Sequence, residues 1–191
     1  MLSLNFAPVQ LFTLTIALLA LSCASYFDVK TKRVPNKLWI FPMLIGATTT
    51  PLMVEQGLLQ VDEVAVSLAS ALLLAYLLHK MKILGGADCK AIIAACLLTP
   101  VGRGRPPLHF LPLALMTNMF IMLGTLTLAV AAAHLLRKKV KVGLKNEEKR
   151  TEDKDATVFS WRKFSPPLMP LITLSLIISF FLGNLAFAAI P

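Results

Sequence analysis

Two aspartates, Asp28 and Asp88, are the residues of this sequence best suited to carry chemistry, because each adjoins or lies within an apolar segment. An ionisable side chain inside such a segment costs about 2.5 to 3.5 kcal/mol at the bilayer centre and less near its surface, so it is a functional candidate by default. The plain alternative for Asp28 alone is an interfacial residue at a helix end. Two carboxyl groups at the same depth suit peptide hydrolysis, because one takes a proton from water while the other, protonated, polarises the scissile carbonyl. Since like charges held close together resist ionising together, we expect the pair to hold a single proton.

Gly85 and Gly86 stand immediately before Asp88 in the chain. Glycine is a poor helix-interior residue, at about 1 kcal/mol less favourable than alanine, so this pair predicts a local break in the helix. Without side chains, the two residues let a substrate backbone approach or let Asp88 point into a cavity. The alternative is a glycine contact between packed helices.

The composition places these residues in a membrane protein. Of the 191 residues, 57% are hydrophobic and 15% are charged, compared with about 45 to 50% and about 25% in soluble domains. We predict an all-α integral membrane protein with a single domain over 1–191, six transmembrane helices, and a polar cytoplasmic loop at 137–165 between helices five and six. The six apolar segments lie at 7–27, 38–54, 64–79, 83–101, 107–136 and 166–190.

The positions of Lys and Arg predict the orientation, because basic residues are retained on the cytoplasmic side. With the N-terminus outside, 16 of the 19 Lys and Arg fall in cytoplasmic loops, and Asp28 and Asp88 lie at the cytoplasmic face. Trp39 then lies near the inner interface, whereas Asp62 and Glu63 fall on the other side. The net charge of +9 is explained by the membrane, so no nucleic-acid partner is expected.

Cysteine and histidine patterns predict no further chemistry. The three cysteines are odd in number and form no CxxC pair, so neither a disulfide framework nor a zinc site is indicated. The three histidines lack HExxH spacing, and we expect no metal or cofactor. Residues 1–27 carry no charged side chain, so the basic start of a cleaved signal is missing and the first segment is expected to remain in the mature protein.

A set of ordered motifs resembles a known family. Asp28 is followed by the run Val34-Pro35-Asn36, and later by Gly85-Gly86-Ala87-Asp88 with Lys90 two positions on. Over most of the chain this set resembles the type IV prepilin peptidase family, which includes archaeal preflagellin peptidases. Ala87 takes the place of the motif's second glycine, in a looser form seen in archaeal members.

The resemblance implies an intramembrane aspartic endopeptidase of the GxGD type, with Asp28 and Asp88 as the catalytic pair. Its partners would be membrane lipid and type IV pilin-like or archaellin precursors. It would remove their short basic leader after a glycine, on the cytoplasmic side. Because the chain lacks the cysteine-paired insert of the long bacterial enzymes, N-methylation is not expected.

Three further residues are predicted to support the site or to bind substrate. Pro35 and Asn36 read as the start of helix two, with Asn36 as its N-cap and direct substrate contact as the alternative. Lys90 points to a different helix face from Asp88, so a tight ion pair is not expected. Two roles stay open for Lys90, namely reaching towards lipid headgroups and tuning the aspartate pair.

Two other functions compete with proteolysis. A small ion-coupled or proton-coupled transporter would also use buried acids such as Asp28 and Asp88. It would not explain why both acids lie at the cytoplasmic edge, and the chain shows no duplicated halves. A non-catalytic scaffold for pilus assembly would leave both aspartates dispensable.

Overall fold

The computed structural model describes residues 7–101, 110–144 and 168–185, with the backbone alone over 134–144, and the named elements in these ranges are helices. A short 3-10 helix at Asn36–Trp39 precedes the second α-helix. The α-helices are α1 at Pro8–Thr31, α2 at Ile40–Glu55, α3 at Val61–Lys80, α4 at Gly86–Leu98, α5 at Leu111–Leu144 and α6 at Leu168–Phe181.

In the part of the chain that the structure describes, four helical segments are long and apolar enough to cross a membrane, which confirms a helical membrane protein. They are Pro8–Thr31, Asn36–Glu55, Val61–Lys80 and Leu111–Ala133. The other two helices are shorter, with 13 residues in α4 and 14 in α6. At 1.5 Å per residue, each covers about 20 Å of a hydrocarbon layer that is about 30 Å thick. Six complete crossings therefore stay a prediction.

Several helix ends differ from those predicted. α1 continues to Thr31 and carries Asp28 in its last turn rather than at its end. α4 is shorter than the segment 83–101, because it begins at Gly86 and ends at Leu98. α5 extends to Leu144, so the first part of the predicted loop 137–165 is helical, and 145–165 lies outside the described residues. An apolar run marks where the chain meets lipid, whereas backbone hydrogen bonds can continue a helix past it.

The short helix α4 lies at the centre of one compact unit, which comprises the described parts of 1–120 and 167–191. It packs against α1, α2, α3 and α6, and Ala91, Ala94 and Ala95 on it are buried. Small side chains let neighbouring helices approach closely. On α2, a Cβ at Gly46 would lie 2.8 Å from Cγ of Leu97. Asp88 therefore lies on a helix that is closely packed against its neighbours.

Buried polar side chains join α5 to α6 within this unit. The Asn118 amide donates to the hydroxyl of Ser179 and to the carbonyl of Gly183, each at 2.9 Å, and accepts from the N–H of Leu185. The Ser175 hydroxyl donates to the carbonyl of Leu115 at 2.6 Å. These bonds fix the position of α6 against α5.

Residues 121–144, which continue α5, belong to a second compact unit. Apolar side chains are exposed along this stretch, among them Leu126 and Leu128. Exposed apolar side chains are also common in the first unit, with Phe41 as one example. Such surfaces are suited to lipid rather than to water.

Trp39 does not lie at the surface where its indole ring was expected to meet lipid headgroups. Its side chain is only 2% exposed and belongs to the hydrophobic core. The turn of 3-10 helix directs it inward, where the large ring fills space among α1, α2 and α4. Among the described residues, its Nε1 is the buried side-chain nitrogen or oxygen that has no hydrogen-bond partner.

Candidate active site

Asp28 is held by another helix. Its Oδ2 accepts a hydrogen bond from the backbone N–H of Met169, in the first turn of α6, at 3.3 Å. One turn earlier on α1, the Ser25 hydroxyl lies 3.0 Å from that of Thr173 on α6. A carboxylate is favourable at a helix N-terminus, where backbone N–H groups lack partners. The position of the half-buried Asp28 carboxyl group therefore depends on the packing of α1 against α6.

Asp88 is held within its own helix. It is the third residue of α4, and its Oδ2 accepts from the backbone N–H of Gly85, the N-cap residue, at 3.0 Å. This is one half of a capping box, in which a side chain at the third position reaches back to the N-cap amide. The half-buried Asp88 carboxyl group is thus oriented over the first turn of α4.

The two glycines mark the start of α4 rather than a break inside it. Gly85 is extended, with φ −72° and ψ 160°, and the helix begins at Gly86. A Cβ at Gly85 would lie 3.1 Å from Oδ2 of Asp88, whereas a Cβ at Gly86 would meet nothing closer than Cε1 of His79 at 4.0 Å. Gly85 therefore makes room for the Asp88 carboxyl group. The alternative of a helix-packing contact is not seen at either glycine.

The fold brings the two aspartates into the same neighbourhood. Helices α1 and α4 pack together, and the Asp28 carboxylate acts electrostatically on Asp88. Asp62 and Glu63 lie in the first turn of α3, whereas α4 follows the last turn of that helix. A helix of 20 residues is about 30 Å long. Asp28 and Asp88 therefore lie towards the same end of the first compact unit, away from Asp62 and Glu63.

The residues predicted to support the site are linked to each other. Nζ of Lys90 donates to Oδ1 of Asn36 at 2.7 Å. Asn36 is the first residue of the 3-10 helix rather than its N-cap, because the extended Pro35 occupies the N-cap position. The prediction of Asn36 as an N-cap is therefore wrong. This bond ties the segment after Asp28 to the helix that carries Asp88.

The two residues that adjoin Asp88 in the chain are apolar or weakly polar. Ala87 packs against the hydrophobic core, and the buried Cys89 directs its thiol to the carbonyl of Ala75 at 3.4 Å. All three cysteines are free. Within the described ranges, no cluster of three or more His, Cys, Asp or Glu side chains could hold a metal ion.

One comparison with known proteins decides the family. The family model of the type IV leader peptidases matches residues 15–134. The chain belongs to the type IV leader peptidase family. This match covers Asp28, Asp88 and every residue that the sequence predicted to support the site, and it confirms the family inferred from the motifs. No curated protein and no solved structure matches the chain. This membrane-embedded leader peptidase is therefore a protease by family.

The sequence did not predict three of the contacts in the site. The contacts of Asp28 with Met169, and of Ser25 with Thr173, join residues more than 140 positions apart. They involve a backbone N–H and two common hydroxyl side chains, which no local motif distinguishes. The hydrogen bond of Lys90 to Asn36 joins two residues that were predicted separately, but the sequence did not indicate that they meet.

Proposed function

We propose that this leader peptidase is an intramembrane aspartic endopeptidase whose catalytic residues are Asp28 and Asp88. The packing of α1 against α4, which brings the two half-buried carboxyl groups into one neighbourhood, supports this proposal most directly. One carboxylate takes a proton from a water molecule, and the other, protonated, donates a hydrogen bond to the scissile carbonyl. The water oxygen attacks the carbonyl carbon, and the proton passes to the leaving amine as the peptide bond breaks.

The proposed substrates are precursors of type IV pilin-like proteins or archaellins. Cleavage would follow a glycine at the end of a short basic leader, on the cytoplasmic side of the membrane. The placement of 16 of the 19 Lys and Arg supports this side, because basic loops are retained in the cytoplasm. The released N-terminus stays unmethylated, since the chain lacks the cysteine-paired insert of the long bacterial enzymes.

Precursor cleavage by the purified protein in lipid vesicles tests the proposal. The substrate is a synthetic precursor with a basic leader that ends in glycine, and mass spectrometry detects the new N-terminus. We expect Asp28→Asn and Asp88→Asn each to reduce cleavage by at least about 10³-fold, since loss of one member of a catalytic unit removes its chemistry. Asp62→Asn is the matched control and should cleave normally.

Each failure has a distinct meaning. Cleavage that survives in either active-site variant contradicts the assignment of the aspartates. A transporter would instead show ion flux that depends on Asp28 and Asp88, with no new N-terminus on any precursor. A methyl group on the released N-terminus would refute the expectation of cleavage alone.

A further inference from the structure

A charged side chain joins the two motifs that carry the aspartates. Lys90 lies in α4, two positions after Asp88, and its Nζ donates to Oδ1 of Asn36 at 2.7 Å. Asn36 begins the 3-10 helix, eight positions after Asp28. A hydrogen bond from an ionised donor is shorter and stronger than one between neutral groups. This exposed bond is thus a directional link between segments far apart in sequence.

The 3-10 helix lies where it can transmit a displacement to both aspartates. It packs against α1 and α4, which carry Asp28 and Asp88, and also against α2. Val34 and Leu38, on either side of Asn36, pack against the hydrophobic core. The segment is therefore anchored by apolar contacts, and Lys90 adds a directional contact from α4.

Lys90 is placed to act by position rather than by contact with the reacting atoms. Two residues along a helix turn its side chains apart by about 200°, so Lys90 and Asp88 leave α4 on different faces. The Lys90 amino group instead donates to Asn36. The sequence left two roles open for Lys90, namely reaching towards lipid headgroups and tuning the aspartate pair. Its contact with Asn36 is neither of these.

We infer that Lys90 is a positioning residue of the proposed active site. Its hydrogen bond to Asn36 holds the first turns of α4 against the 3-10 helix and so sets the placement of Asp88 relative to Asp28. This inference rests on the proposed function. A misplacement of about 1 Å can cost about 100-fold in rate, so one lost link between the two segments is enough to slow the chemical step.

Kinetics of Lys90→Met, Asn36→Ala and the double variant test the link. Methionine retains most of the aliphatic stem and removes the donor. We expect each single variant to reduce kcat by about tenfold or more, with KM within about twofold, because the link affects the chemical step rather than substrate affinity. The double variant should be no slower than either single variant, since both remove one interaction.

Thr50→Val is the matched control for a purely structural effect. The Thr50 hydroxyl on α2 donates to the carbonyl of Leu97 on α4 at 2.6 Å, near the other end of α4. Its removal also breaks a hydrogen bond to α4, so it should lower the thermal unfolding midpoint. We expect kcat of this variant to stay within about twofold of the parent protein, because the aspartates keep their placement.

Lys90→Arg completes the test, because arginine keeps the charge and the donor groups. This variant should retain more of kcat than Lys90→Met does. The inference is overturned if Lys90→Met keeps kcat within about twofold, or if Thr50→Val loses as much kcat at an equal loss of unfolding midpoint. The proposed function fails separately, through active Asp28→Asn or Asp88→Asn variants.

Discussion

The connector that follows Asp28 and the connector that precedes Asp88 have similar backbones but hold their aspartates by different means. Each contains a lysine in the left-handed backbone conformation. This residue is Lys32, with φ 55°, in the first connector and Lys82, with φ 57°, in the second. Three positions later, each reaches an extended residue, Pro35 or Gly85, that starts a helix. The resemblance ends there. Asp88 bonds to an amide three positions before it, whereas Asp28 bonds to an amide 141 positions away.

The Asp88 carboxyl group is therefore oriented by a local contact, and the Asp28 carboxyl group by a tertiary contact. The orientation of Asp88 follows from the start of α4, so changes at Gly85 should affect it directly. The orientation of Asp28 follows from the docking of α6 on α1, so changes at that interface should affect it while α4 stays intact. Each half of the proposed site can therefore be disturbed separately.

Gly85→Ala should produce the largest loss of activity among the variants that disturb the local cap of Asp88, the contact of α6 with α1 or the connectors. The added Cβ would lie 3.1 Å from Oδ2 of Asp88, so the carboxyl group must shift by a few tenths of an ångström. We expect kcat in the precursor assay to fall by about tenfold, given the cost of misplacing a reacting group. Retention of full kcat would show that the local cap does not orient Asp88.

Two other glycines provide controls for that variant. A Cβ at Gly124 on α5 meets nothing within 4 Å, so Gly124→Ala should leave kcat and KM unchanged. Gly86→Ala has no contact closer than 4.0 Å. Any effect of this second variant should appear in KM, because the added methyl group displaces none of the described residues and would act on a bound substrate.

Ser25→Ala and Thr173→Val should produce a smaller loss by loosening α6 near Asp28. Their hydroxyl groups lie 3.0 Å apart between α1 and α6, and a typical hydrogen bond contributes about 0.5 to 1.5 kcal/mol. We expect kcat to fall by about two- to fivefold in either variant, measured with the same precursor. Thr15→Ala is the control, because that exposed hydroxyl bonds only within α1, and an equal loss there would contradict tertiary control of Asp28.

Lys82→Gly should have the smallest effect, and the effect should be on stability. A left-handed conformation costs a residue with a side chain about 1 to 2 kcal/mol, and the greater freedom of unfolded glycine offsets about 0.5 to 1 kcal/mol of that. The unfolding midpoint in detergent should therefore rise slightly. Lys82→Val should lower it, because a β-branched residue is strongly disfavoured at positive φ. The opposite order would show that the connector is not strained.

The sequence predicted the family of the protein better than it predicted the helix ends. Asp28 and Asp88 stand out because charge is rare in apolar segments, and their neighbours carry recognisable motifs. The ends of α1 and α5 were placed too early, because apolar composition stops at the membrane surface while helical hydrogen bonding continues. The start of α4 was also misplaced, since the apolar residues Ile83 and Leu84 belong to a connector.

Tertiary contacts of polar residues could not be read from local pattern. Asn36 fits an N-cap by type, yet its side chain accepts from Lys90, 54 positions away. Trp39 fits a membrane interface by type, yet it is buried, because packing among α1, α2 and α4 decides its environment. In both cases the residue type was compatible with two environments, and the fold selected one.

The central claim is that Asp28 and Asp88 act as one catalytic unit, and a kinetic double-variant cycle tests it most directly. Precursor cleavage is measured for Asp28→Asn, Asp88→Asn and the protein carrying both changes, with Asp62→Asn as control. Residues that act together have strongly non-additive effects on rate. The account predicts that each single variant loses almost all activity and that the double variant is no slower. The account is contradicted if the loss of rate in the double variant equals the product of the two single losses. It is also contradicted if either single variant still cleaves efficiently.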